Sequence, residues 1–568
     1  MSESQSSDQC VVVESETESD PFSEYYAELL EGTYDCVDRI VLNAYFQLGQ
    51  TPGGFRYWWR RWKGSDDDLD NTHLMRFAGR FSRRVRAYAE RQGIPLIYCK
   101  RGERKHHIAA QHVPDDPDFV GLFAILVGRA PAPVWDVKRN KKGQIMDIHR
   151  KEPYPYVNHY HFHIIDPDWG HVTIKLCPHP PFGAQIILNG HEYVAWQARK
   201  AGIRFTKEGN CFTAISDAAG WAEIAETLRS SDAVGHLAQV CERWIYSSCL
   251  CFALTLEEQE CTGFHYSYSN YQLEYSRNLL FKRGQQMEQL FNGVIDHVRA
   301  ALDVRTLKTI FGTKRRPFRH KGSGKKAPRL EVVVERPVYD LTVFKIHFGK
   351  LTVKLYTKGE RVLRIEVIVH NARALSCGCS LPKFPQIVAH LRAILIRFLE
   401  VIHCVDQTFI SAATLDRLAE PSQVGRTRVG GIDLNKPRLR AVIAAVISLA
   451  PTPNGFQVAD VAAQVREILG VGPEGYTSRQ AAYDLKKLRG KHLVHKIDRS
   501  RRYEATAAGL RSLTALLVLR EKVIKPLLAG AGKPRRGRKP KNQRPIDAHY
   551  EAMRVQMCHL FELVGLAV

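Results

Sequence analysis

YVNHYHFHIIDPDWGHVTIKL, residues 156–176, sets His159, His161 and His163 at alternate positions ahead of an Asp-Pro-Asp-Trp-Gly turn. Strict alternation is the mark of a half-buried strand, and two such runs around a Gly-containing turn predict a hairpin. With residues 166–170 as the turn, Ile165 falls opposite His171, His163 opposite Thr173 and His161 opposite Lys175, and opposed residues share a face. One face is then Tyr160, Phe162, Ile164, Val172, Ile174 and Leu176, which must be covered by a core. The other carries His159, His161, His163, His171, Thr173 and Lys175. Such a face can bind a metal, hold a phosphate, or be a polar sheet face with no chemistry.

Outward from the hairpin, residues 38–48 read as a strand broken by Gly53 and Gly54, and residues 75–92 as a helix stopped by Gly93 and Pro95. Strands follow in IPLIYCK and GLFAILVGR, so residues 36–215 are expected to form an α/β body. Residues 188–202 predict a helix with Asn189 as N-cap and Gly202 as its stop. Periodicity makes residues 216–311 a helical region and residues 312–329 a basic linker. Strands return in residues 330–425, with a hairpin over 351–369 that turns at Lys358-Gly359-Glu360. The run FRYWWRRWK after Gly54 has two readings, a platform on which bases stack or a buried aromatic anchor with its arginines outside.

The chain has 568 residues, too many for one core, and carries 82 Lys and Arg against 59 Asp and Glu, a net charge of +23. That excess points to a polyanion, DNA or RNA, since neutralised phosphates release counterions. The 13 cysteines are odd in number and scattered, which suits reduced thiols in a cytoplasmic protein. Residues 1–35 read as an acidic disordered leader, and neither a signal peptide nor a membrane partner is expected.

Residues 436–530 predict three helices, RLRAVIAAVISLA, VADVAAQVREIL and TSRQAAYDLKKLRGKHL, then a hairpin with a basic tip and a closing helix. This pattern resembles winged-helix regulators of the MarR-like kind, which implies Arg479, Gln480, Tyr483, Lys486 and Lys487 on a helix for the major groove, and Arg499, Arg501 and Arg502 in a wing on phosphates. Such a module can also serve protein contacts. In residues 531–568, KPRRGRKPKNQRP resembles an AT-hook centred on Arg536-Gly537-Arg538, though Lys539 intervenes before Pro540; a plain basic linker is the other reading.

For chemistry, the His161-x-His163 pair resembles that of rolling-circle initiators and relaxases, which implies a metal at those histidines and a nucleophilic tyrosine on a following helix, here Tyr193, with Lys200 near it. GERK (102–105), the hairpin, LNGHEYVAWQARKAGI and LYTKGERVLRIEV together resemble an uncharacterised bacterial family over residues 38–403. That resemblance implies aromatic residues where His161 and His163 stand, while Asn158, His159, a turn acid, Lys175 and Asn189-Gly190-His191-Glu192 belong to its pattern; it brings no activity. Asp166, Asp168 and Glu192 are candidates to hold Mg²⁺ or Mn²⁺, with Arg104, Lys105 and Lys175 on a phosphate and Arg364 and Glu366 sharing a strand face. Cys249, Cys251, Cys261 and His265 lack the spacing of a zinc knuckle, so zinc is not expected. The sequence thus predicts a multidomain α+β nucleic-acid-binding protein. Two functions stay open: metal-assisted cleavage of DNA or RNA of the mobile-element or replication kind, or a non-catalytic winged-helix regulator or RNA-binding scaffold.

Overall fold

A computed structural model describes residues 20–301, 307–311, 330–338, 341–348, 350–406, 417–450, 452, 455–498, 500–520 and 545–563. The chain divides into two compact units. The larger is built from residues 32–288 and 307–395, the smaller from the described parts of residues 1–31, 289–306 and 396–568. The expected basic linker at 312–329 and the AT-hook-like segment with Arg536 and Arg538 lie outside the described residues, as do residues 1–19 of the leader and Arg499. No described helix is long and apolar enough to cross a membrane.

The larger unit carries β1 (Leu30–Phe46), β2 (Leu96–Tyr98), β3 (Gly121–Pro131), β4 (Trp135–Arg139), β5 (Ile145–Arg150), β6 (Tyr156–Asp166), β7 (Gly170–Leu176), β8 (Ala184–Asn189), β9 (Phe205–Lys207), β10 (Phe212–Ile215), β11 (Tyr266–Phe281), β12 (Leu307–Phe311), β13 (Leu330–Val338), β14 (Leu341–Phe348), β15 (Leu351–Lys358) and β16 (Val362–Val369). All but β4, β5, β9 and β10 join one twelve-stranded mixed sheet in the order β12-β13-β14-β15-β16-β11-β1-β8-β7-β6-β3-β2. The hairpin β6–β7 pairs in the register read from its sequence, with Ile165 opposite His171, His163 opposite Thr173 and His161 opposite Lys175. Its apolar side chains Tyr160, Phe162, Ile164, Val172, Ile174 and Leu176 are all buried. The Asn71–Gln92 helix covers part of that face, because Leu74, Phe77, Phe81 and Val85 recur at helical spacing and are buried, with the Phe81 ring 4.7 Å from that of Tyr160. Asp70 caps its first turn and Gly93, in the left-handed conformation, ends it.

Strands expected in two bodies, residues 36–215 and 330–425, share this one sheet. The link is β11, which runs through residues expected to be helical; helices Ala218–Thr227, Asp232–Trp244 and Leu256–Thr262 do precede it. From Tyr275 to Phe281 every residue of β11 is buried, Ser276, Arg277 and Asn278 among them. A strand covered on both faces, with polar side chains turned inward, has no apolar–polar alternation to reveal it. FRYWWRRWK lies in the Pro52–Lys63 helix as an anchor: Phe55, Trp58 and Trp59 are buried, and Arg56 and Arg60 hold Asp66 at 2.5 Å outside.

In the smaller unit, β17 (Ser422–Val424) pairs with β18 (Thr427–Val429) ahead of helices Pro437–Leu449, Val458–Leu469, Ser478–Gly490 and Ala507–Val518. A three-stranded sheet, β19 (Phe456–Gln457), β21 (Arg502–Ala505) and β20 (Val494–Lys496), is ordered β19-β21-β20. Buried Val442, Val446, Val461, Val465, Leu485, Leu488, Leu510 and Leu513 form its apolar interior.

One glycine fixes the junction between β8 and the Gly190–Lys200 helix: a Cβ on Gly190 would stand 1.9 Å from the Val37 carbonyl oxygen of β1. Gly190→Ala must therefore push two buried backbones apart, and we expect it to destabilise the larger unit by about 1–3 kcal/mol. Gly235→Ala, in the Asp232–Trp244 helix with nothing within 4 Å of the added carbon, serves as control and should be neutral or stabilising. Equal melting temperatures for the two variants would contradict this account.

Candidate functional site

The hairpin register, continued across the sheet, aligns Leu126, His161, Lys175, Gln185 and Asn43 in one row over β3, β6, β7, β8 and β1. The neighbouring row is Ala124, His163, Thr173, Ile187 and Val41. Gln185 Nε2 donates to Asn43 Oδ1 (3.0 Å), and His163 Nδ1 lies 3.0 Å from His171 Nε2 and 3.2 Å from Thr173 Oγ1. A groove of about 670 Å³ opens on this side, lined among others by Lys175, His159, His179, Arg373, Tyr45 and Gln185, and among the described residues no carboxylate lines it. Lys105, from the short Lys105–Ala110 helix, reaches over Gly128 of β3, which pairs with His159; a Cβ there would come within 2.6 Å of Lys105 Cε.

Burial, then the ammonium of Lys175, pushes the pKa of His159 down to about 4. Burial and His171 push that of His163 down to about 3, and His161 is depressed further by burial, Lys105 and Lys175. The imidazoles are thus neutral at neutral pH. Lys175 is also lowered, by burial and by Lys105.

The carboxylates expected as metal ligands do not join this groove. Asp166 is fully buried; its Oδ1 accepts from the backbone of Asp168 (2.8 Å) and Trp169 (3.0 Å), and its Oδ2 from Arg243 (2.6 Å) and Trp244 Nε1 (2.7 Å). Asp168 pairs with Arg243 (2.8 Å) and Lys200 (3.3 Å), and Glu192 with Lys207. Tyr193 is buried with its ring 4.6 Å from Trp169 and its hydroxyl 3.3 Å from Thr227 Oγ1. His161 and His163 sit on the strand face, Arg104 stands exposed ahead of Lys105, and His161, His163, Asp166 and Glu192 form no common cluster among the described residues.

What the motif residues do build is a buried charge network. His191 Nδ1 lies 2.6 Å from Asp38 Oδ1, and Arg364 Nη2 lies 2.7 Å from Asp38 Oδ2 and 3.6 Å from Glu366 Oε1. Lys354 closes on Glu366 at 2.6 Å, and Arg364 Nη1 donates to the Asn210 carbonyl at 2.5 Å. Burial alone would raise the Asp38 pKa, but Arg364 and then His191 hold it well below the usual carboxylate range. Glu274 faces the same network, and burial, then Glu366 and Asp38, push its pKa up to about 7. The sequence places Arg364 and Glu366 on one strand face but does not tie them to Asp38 and His191; the available signal is an acid inside the apolar run CVDRIV.

Ligating atoms of Cys36, Asp38 and His191 lie within 4.8 Å of one another, so three side chains there could hold a metal ion. Arg364 occupies one Asp38 oxygen and His191 the other, while burial and then Asp38 keep the Cys36 thiol protonated. That donor set fits a self-neutralised network better than a Mg²⁺ or Mn²⁺ site, which needs free oxygen ligands.

In the smaller unit, Ser478–Gly490 buries Ala481, Leu485 and Leu488 and exposes Arg479 and Tyr483, with Lys486 half-exposed. Gln480 closes a capping box, accepting from Thr477 N at 2.8 Å. Lys487 lies 5.2 Å from the Tyr483 ring and donates to the Gly431 carbonyl (3.3 Å). Asp484 points inward, buried, to Arg438 (3.1 Å) and the Tyr476 hydroxyl (3.0 Å). In the β20–β21 hairpin Arg501 is exposed, whereas Arg502 donates to the Gly455 carbonyl (3.0 Å) and ties the hairpin to its own unit. Cys249 is buried, and the Sγ atoms of Cys251 and Cys261 are directed to backbone carbonyls; these cysteines and His265 form no metal-binding group among the described residues. Comparison with known proteins gives no significant match, whether to a family model, a curated protein or a solved structure.

Arg364→Met strands two buried carboxylates and should cost about 3–5 kcal/mol, whereas Arg364→Met with Asp38→Asn should recover part of that loss. Additive losses in melting experiments would show that the pair is not coupled. For His159 the folded pKa, about 4, lies below its ordinary 6.5, so the unfolded chain binds more protons between those values. Stability is therefore full above pH 6.5 and falls on acidification towards pH 4, by about 1.4 kcal/mol per pH unit from this residue. His159→Gln should flatten that slope; an unchanged slope would place the proton uptake elsewhere.

Proposed function

We propose that the protein is a nucleic-acid-binding protein, with its smaller unit as the module that docks on duplex DNA in the manner of a winged helix. The observation that carries this reading is the division of charge on Ser478–Gly490: the one acid, Asp484, is turned inward onto Arg438 and Tyr476, and Arg479, Tyr483 and Lys486 face out. A helix of that kind suits the major groove, where Arg479 near its N-terminus reaches base edges or phosphate, and the exposed Arg501 of the adjacent hairpin reaches the backbone. The net charge of +23 supplies the long-range attraction. Gln480 and Arg502 act on the module itself, as a helix cap and a hairpin tie, rather than on DNA.

The larger unit is proposed as a binder rather than a metal-dependent nuclease, because Asp166, Asp168 and Glu192 are each paired with cations of the chain itself. A carboxylate committed to Arg243 must give up that partner before it can ligate Mg²⁺.

Arg479→Ala with Arg501→Ala should weaken duplex binding and lower the slope of log K against log salt by about 0.9 for each phosphate that is no longer neutralised, with melting unchanged. Unaltered affinity and slope would remove the duplex role from this helix. Labelled DNA and RNA incubated with Mg²⁺ or Mn²⁺ should stay intact as they do in EDTA; metal-dependent cleavage abolished by Asp166→Ala would overturn the non-catalytic reading.

A further inference from the structure

We infer that the groove on the histidine face of the larger unit is a nucleotide site that takes a phosphate ester at Lys105 and Lys175. Three observations carry it. First, Lys175 lines the groove, Lys105 stands over Gly128, whose strand partner His159 lines it too, and neither lysine has a carboxylate partner among the described residues. By contrast, the described acids around this region are already paired: Asp166 and Asp168 with Arg243, Glu192 with Lys207 and Glu366 with Lys354. Two half-buried ammonium groups, one lining the groove and one over the adjoining strand, with no carboxylate in that lining among the described residues, are stabilised by an added anion.

Second, the position of Lys105 is set by a residue that a strand would not otherwise choose. Gly128 is in the interior of β3, where glycine weakens a strand, and it leaves the space that Lys105 Cε and Nζ fill; an added Cβ would stand 2.6 Å and 2.9 Å from those atoms. The site is thus seated from the backbone upward.

Third, the row beyond Lys175 is polar and uncharged. Gln185 and Asn43 follow it across β8 and β1, joined by their own hydrogen bond, and Tyr45 and Gln50 also line the groove. Two strand spacings carry Asn43 about 10 Å from Lys175, which matches the reach from the phosphate of a nucleotide to the far edge of its base. Arg373 adds a cation to the lining, and the volume of about 670 Å³ suits a nucleotide.

The ester is that of a free nucleotide or of one residue in a single strand, and the probes separate the two. The full chain is titrated calorimetrically with each ribonucleoside 5′-monophosphate, the matching nucleosides, inorganic phosphate, and a 5′-phosphorylated single-stranded hexanucleotide. Binding of a monophosphate but not its nucleoside indicates the free nucleotide, and binding of the hexanucleotide alone indicates the strand. Either supports the site provided that Lys175→Met and Gly128→Ala each weaken it by about tenfold or more. Gly128→Ala keeps every charge and displaces only the end of Lys105, and melting curves check that both variants fold. The groove and the duplex-binding module belong to different units, so both variants should bind duplex DNA as the wild type does, and Arg479→Ala with Arg501→Ala should leave nucleotide binding intact. No binding of any probe, binding unaffected by both variants, or a response to inorganic phosphate as an adventitious ion only would overturn the proposal.

Discussion

Arg364 is the side chain on which the larger unit depends. It is 1 % exposed, and its guanidinium joins β16 to Asp38 of β1 and to the carbonyl of Asn210. Asp38 in turn holds His191 at the start of the helix after β8. Isolated, any of these charges would be expelled from an interior by several kcal/mol. Together they are fixed by one another, so β16, which follows β12–β15 in the second half of the chain, must hold one place relative to β1 from its beginning. Asp35, held by Arg277 at 2.7 Å and by the Tyr275 hydroxyl at 2.9 Å, does the same between β1 and β11. Apolar faces alone would tolerate sliding; paired buried charges tolerate one register.

This arrangement also explains what is legible in the sequence. The β6–β7 register follows from one turn and a period-two pattern, because one face of that hairpin is apolar throughout. The Asn71–Gln92 helix is visible for the same reason, with an apolar stripe and a glycine stop. β11 is hidden because its inner residues include Ser276, Arg277 and Asn278, and the charged partners of Arg277 and Asn278, Asp35 and Arg364, lie far away in sequence. With that strand read as helix, one sheet becomes two bodies.

At the level of the site, the motif residues are visible and their roles are not. NGHE and LRIE resemble surface chemistry because they hold charged residues near strand ends. In the fold Gly190 is pressed on Val37, His191 and Arg364 meet on Asp38, and Glu192 goes to Lys207. A sequence shows that an acid is present; only its neighbours show whether the charge is neutralised from within. Asp166 makes the point most clearly: its two oxygens accept four hydrogen bonds, two of them from its own turn. It closes the turn that sets the hairpin register, a structural task that any metal would have to displace.

The same accounting of charge separates cations that hold the protein together from cations left to meet something else. Arg243, Arg277, Arg364, Lys207 and Lys354 each have a carboxylate at hand. Lys105, Lys175 and Arg373 in the larger unit, and Arg479 and Arg501 in the smaller, have none among the described residues. A net charge of +23 says only that cations outnumber acids; pairing identifies which remain in surplus. Of these, Lys175 and Arg373 line the groove, Lys105 stands over the strand beside it, and Arg479 and Arg501 lie on the helix and its adjoining hairpin, the places where phosphate contacts are proposed.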